Sequence, residues 1–119
     1  MKTQIILPDE EGIAKAGQIL RDGGLVAFPT ETVYGLGANA LDPVATRHIY
    51  EAKGRPGDNP MIVHVSNLEM LNGVARDFTD SQKDIMWKLW PGAITFMLHK
   101  HPAVPDVTTG GLDTVATFF

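Results

Sequence analysis

LVAFPTETVYGLGAN, Leu25 to Asn39, decides how this chain is read. Its first four residues are apolar and too few for a helix, so they read as a short buried strand. Pro29 has no N–H to give to a ladder and ends it. Polar groups then crowd the strand's end: two threonines bracketing Glu31, then Tyr34, Gly35 and Gly37. A loop at the carboxyl end of an α/β strand is a usual place for a ligand. Thr30, Thr32 and Tyr34 alternate, so an extended loop would aim all three to one side. The bland reading is a wide turn, with Gly35 and Gly37 at positive φ and the hydroxyls bonded to nearby backbone.

Working outward, Glu11 to Asp22 is helical, with Ile13, Ala16, Gly17 and Leu20 on one face, and Gly23-Gly24 stops it. Before it, Gln4 to Leu7 reads as a first short strand. Beyond the loop, Asp42 can cap a helix that starts at Pro43 and runs to about Ala52. Met61 to Val65 reads as a second buried strand. Ser66 to Glu69 and Thr79 to Gln82 both have capping-box spacing. The second box precedes a helix carrying Ile85, Met86, Leu89 and Trp90, which Pro91-Gly92 ends. Ala93 to Leu98 reads as another strand, and GLDTVATFF as one just begun. Strands alternating with helices predict an α/β sheet covered by helices.

At 119 residues the chain fits one domain, and 44% apolar with 20% charged residues is ordinary for a globular protein. No apolar run approaches the ~20 residues of a membrane helix, and MKTQIILPDE lacks the pattern of a secretory signal. The absence of cysteine excludes disulfides and thiolate chemistry and fits a reducing cytoplasm. A net charge of −4 argues against a generally basic coat for nucleic acid. Arg47, Lys53 and Arg55 nevertheless form the densest positive cluster.

Four groups of residues carry candidate chemistry. Gly35 to Ala40 formally matches G-x-G-x-x-A, but Pro43 sets the next helix start beyond the glycines, so the dinucleotide context is missing. Lys53 and Arg55 flank a glycine ahead of Asp58 and Asn59; a point charge beside a flat fork of donors suits phosphate. The alternative is a solvated helix end favoured by the dipole. His64 lies in the apolar run MIVHV, either as a core histidine bonded to backbone or as a ligand group at a strand end. His99 and His101 alternate, but two histidines without a third ligand do not make a metal site.

FPTETVYGLGANA, the KGRPGDNPMIVHV run, WPGAIT and TTGGLDTVA follow one another in an order that resembles the YrdC-type threonylcarbamoyl-AMP synthase family. The likeness runs from about Gly23 to Ala116. It implies an α/β fold, a twisted mixed sheet with helices packed on it around a deep positively charged cavity. It also implies synthesis of L-threonylcarbamoyladenylate and pyrophosphate from L-threonine, bicarbonate and ATP, with Mg2+, in the cytoplasm. The product would serve the threonylcarbamoyl modification of tRNA adenosine, with tRNA and downstream tRNA-modification proteins as partners and no membrane. Carried over by position, Thr32 and His64 match threonine-binding residues. Arg55, Asn59 and Thr114 match nucleotide-binding residues, with Lys53 the other half of the K-x-R pair. Lys53 and Arg55 are the expected catalytic groups, and no protein metal ligand is expected.

The resemblance also implies an arginine contacting threonine where this chain has Phe118, and a later Ser-Ala-Asn motif that it lacks. Residues 1–119 are therefore expected to be the N-terminal part of one domain, incomplete at the C-terminus. Isolated, it is expected to be poorly stable or oligomeric and of uncertain activity. Two other readings stand beside this one: a non-catalytic module binding tRNA or double-stranded RNA, and a carbamoyl-transfer domain. The acidic charge and the lack of aromatics among the basic residues weigh against the first, and the lack of zinc-finger cysteines against the second.

Overall fold

Capping chemistry sets most of the helix boundaries. A computed structural model describes residues 2–54 and 59–119. Asp9 accepts from the Gly12 N–H at 2.7 Å and starts helix α1, Glu10–Arg21. Gly23, at φ +89, ends it: its N–H reaches Leu20 O at 3.1 Å while Gly24 N–H reaches Ile19 O at 2.8 Å, the paired bonds of a Schellman stop. Strands β1, Val26–Phe28, and β2, Gly35–Gly37, form an antiparallel hairpin. Asp42 then accepts from Val44 and Ala45 N–H and opens α2, Pro43–Lys53, which Gly54 closes at φ +62. Both the cap and the proline at the first position stand where the sequence puts them.

The rest of the described chain forms β3, Ile62–His64; α3, Leu68–Val74; β4, Ala75–Arg76; α4, Asp80–Leu89; β5, Phe96–Lys100; and β6, Thr114–Phe118. Thr79 and Gln82 bond reciprocally and complete the capping box of α4. The second sheet has the order β3-β6-β5-β4 and is mixed, with β3 parallel to β6 and the other pairs antiparallel. β6 is thus paired on both sides.

One face of that sheet meets α3 and α4. Val63, Val115 and Ala75 pack with Leu71, Met86 and Trp90 in a single buried cluster. Trp90 also meets Phe96 edge-on at 5.0 Å and Phe119 at 6.1 Å. Aromatic pairs at such separations add to what burial of their area already contributes. On the opposite face Ile62, Ala116 and Met97 stand in one row, and Ile62 and Met97 are more than half exposed.

Five local expectations are corrected. Gln4–Leu7 forms no strand; Ile5 and Leu7 are exposed, and this stretch has no strand partner among the described residues. Instead it crosses α1 so closely that a Cβ on Gly12 would lie 1.8 Å from Leu7 O. The inner face of α1 turns accordingly: Gly12 is buried and Ile13 is exposed. The α3 cap is Asn67, which accepts from Met70 N–H, rather than Ser66. Of the residues assigned to the α4 face, Met86 and Trp90 are buried but Ile85 and Leu89 are exposed. Finally, β5 starts at Phe96 rather than Ala93, because Ile94 is held in a bend: its N–H goes to Gly92 O, and its carbonyl takes the Trp90 indole N–H at 2.9 Å.

Candidate functional site

A cleft of about 620 Å³ opens where α1 and the β1–β2 hairpin face β3, α2 and α3. Phe28, Leu36, Ile49 and Ile62 give it apolar walls, while Asn39 and Thr108 are among its few polar groups. The hairpin can approach closely because β2 carries glycines. A Cβ on Gly37 would sit 2.9 Å from the Phe28 ring, and one on Gly35 would sit 3.1 Å from it. Neither glycine has positive φ, so the expectation of a turn built on left-handed glycines is corrected. Their role is to let the Phe28 ring lie across the strand.

His64 is exposed at the carboxyl end of β3 and lines this cleft. Its ring lies between aromatics, 6.4 Å from Phe28 and 5.1 Å from Phe118, and it has no hydrogen bond among the described residues. The core-histidine alternative required burial and a backbone partner, and the described structure gives neither.

Thr32 lies in the fully exposed loop that leaves β1 after Phe28. That loop bends instead of extending. Thr30 Oγ1 donates to Val33 O, and Thr32 N–H donates to Thr30 Oγ1 at 3.2 Å, so the three side chains do not alternate along a strand. Lys53 is exposed on the last turn of α2, four residues after Ile49, which lines the cleft. Arg55 and Asp58 lie outside the described residues. Asn59 is exposed, and its backbone carbonyl accepts the Tyr50 hydroxyl.

Thr114 stands apart from these. It starts β6 opposite His99 and lines a separate pocket of about 170 Å³ with Arg76, Phe78 and Met97. Phe118, at the other end of β6, is the residue paired with His64. At about 3.3 Å per residue, Thr114 is roughly 13 Å along the strand from that pair. The described residues thus gather His64 into the cleft, set Lys53 and Asn59 at the end of α2, and leave Thr114 at the far end of the sheet.

Two residues of this region carried no signal in the sequence reading. Arg21 lines the cleft from the last turn of α1, where a basic residue is explained equally well by the helix dipole. Tyr50 is buried on α2, and nothing in IYEAK separates it from an ordinary core aromatic.

The family model described as "Telomere recombination" (Sua5, YciO, YrdC) matches residues 18–119. The chain is 52% identical over 91% of its length to the threonylcarbamoyl-AMP synthase of Pyrococcus abyssi, covering 32% of that protein. It is 46% identical over 96% of its length to the Bacillus subtilis protein of the same name, covering 33% of it. Among solved structures, the crystal structure of P. abyssi Sua5 complexed with L-threonine matches with a TM-score of 0.86 at 50% identity, over 93% of this chain and 33% of that one. The chain therefore spans about a third of the length of these relatives.

Proposed function

The chain belongs to the Sua5/YciO/YrdC family, and from that premise we propose that it serves an L-threonylcarbamoyladenylate synthase, a nucleotidyltransferase using L-threonine, bicarbonate and ATP. One observation carries this reading. His64, whose ring has no hydrogen bond among the described residues, lines an open cleft at a strand's carboxyl end, in a chain half identical to a protein solved with L-threonine.

In this reading, threonine's amine and bicarbonate combine to a carbamate with loss of water. A carbamate oxygen then forms a bond to the α-phosphorus of ATP, and the bond to the bridging oxygen breaks, releasing pyrophosphate. No covalent enzyme intermediate is required, so positioning and electrostatics carry the rate. His64 and Thr32 orient threonine's carboxylate and hydroxyl. Lys53 and Arg55 offset the phosphate charge, which grows on the leaving pyrophosphate, and Asn59 and Thr114 hold the nucleotide. Among the described residues no group of three or more histidine, cysteine, aspartate or glutamate side chains could hold a metal. In this reading magnesium would be carried by the ATP phosphates.

The adenylate would be consumed in the cytoplasm by proteins that place the threonylcarbamoyl group on tRNA adenosine. No helix among the described residues is long and apolar enough to cross a membrane. The test is pyrophosphate release by the chain and by any longer polypeptide that carries it. Release should require both threonine and bicarbonate, and Arg55→Ala should lower it by about 100-fold or more. Release that ignores threonine, or survives Arg55→Ala, would overturn the assignment.

A further inference from the structure

Tyr50 neither lines the cleft nor belongs to the residues assigned above. It is 5% exposed on α2, one turn before Lys53. Its hydroxyl donates to two backbone carbonyls, those of Asn59 and Val107, the latter at 3.0 Å. A phenol has one proton, so the two carbonyls share it, and both segments are drawn to the same point on the helix. Gly54 closes α2 with its N–H on Glu51 O at 3.3 Å, and the Asn59 carbonyl is bonded to Tyr50 on the same last part of the helix.

Further bonds continue from this point to the cleft wall. Met61 N–H donates to Thr108 O at 2.9 Å, next to the Val107 carbonyl. Thr108 Oγ1 donates to Ala40 O at 2.7 Å, and Thr46 Oγ1 to Asn39 O at 3.3 Å. Asn39, Ala40, Thr46, Met61 and Thr108 all line the cleft. Tyr50 is therefore where the arm carrying Asn59 is joined to the framework of the cleft.

We propose that Tyr50 is a positioning residue for the nucleotide: its hydroxyl holds the Asn59 arm against α2, so that Asn59 and Lys53 keep a fixed separation. This rests on the reading above, in which Lys53 and Asn59 serve ATP. The ring fills the core whether or not the oxygen is present, so Tyr50→Phe removes the hydroxyl's bonds to the Asn59 and Val107 carbonyls and keeps the ring.

Two measurements on the chain, wild type and Tyr50→Phe, test this. Amide exchange at Met61 should quicken roughly fivefold, the size of one lost hydrogen bond, while amides of β6 keep their rates. By calorimetry, ATP affinity should fall by a similar factor and L-threonine affinity should stay unchanged. Unaltered exchange at Met61 would overturn the latch. Faster exchange with ATP and threonine affinities equally reduced, or both intact, would overturn its role in placing the nucleotide. Should the wild-type chain bind no ATP, it is the ATP reading of Lys53 and Asn59 that fails, and exchange at Met61 alone then decides whether the latch exists.

Discussion

Two threonine-bearing loops of this molecule, Pro29–Tyr34 and Pro105–Gly111, look alike on paper and behave in opposite ways. In the first every residue is exposed, and among the described residues the Thr30 and Thr32 hydroxyls bond only within the loop. In the second, Thr108 and Thr109 are 1% exposed, and Thr108 reaches Ala40 across most of the chain. A hydroxyl spent on distant backbone holds walls together; one that bonds only to its own turn can exchange that partner for a ligand. The difference separates a loop built into the cleft wall, where Thr108 stands, from one whose hydroxyls remain at the surface.

Thr108→Val should break the comparison most severely. The volume is kept but the bond to Ala40 O, which is half-buried, is lost, so the chain should lose about 1–2 kcal/mol. A urea titration should show a lower midpoint at unchanged slope. Gly37→Ala tests the hairpin that carries the open loop. Its Cβ would press on the Phe28 ring, which must swing away, at a cost of about 1 kcal/mol, with the ring moving relative to His64. The readout is a shift in the His64 ring resonances beyond what the stability change explains. Thr32→Ala should do least to the fold, within about 0.5 kcal/mol, as for other exposed positions. Yet it should weaken L-threonine binding about tenfold by calorimetry, and an unchanged affinity would remove Thr32 from the site. Hydrogen exchange shows the same contrast without any mutation: amides of residues 30–34 should exchange well ahead of those at 108 and 111.

What could be read from sequence was what depends on near neighbours. Asp42-Pro43 and the Thr79–Gln82 box act over three or four residues, so their chemistry is complete in the sequence. Gly35 and Gly37 were visible as special, but the reason, the Phe28 ring lying over them, exists only after β1 pairs with β2. His64 could not be assigned to core or cleft until β3 found its register on β6, because a shift of one residue exchanges the two faces. Thr108 and Tyr50 act through partners far away in sequence and left no local trace. The exposed loop was thus easier to notice than the framework that holds it.

The pairing of β3 with β6 also constrains how the molecule is made. Ile62 and Ala116 are aligned across a parallel ladder though about fifty residues separate them, and β6 is the strand partner of β3 among the described residues. Closing so large a loop is entropically unfavourable before any contact repays it. During synthesis β3 must wait, unpaired, until the β6 segment emerges, while α4 and β5 can already form from nearby residues. His64 therefore reaches its place beside Phe118 only once the β6 segment has been made.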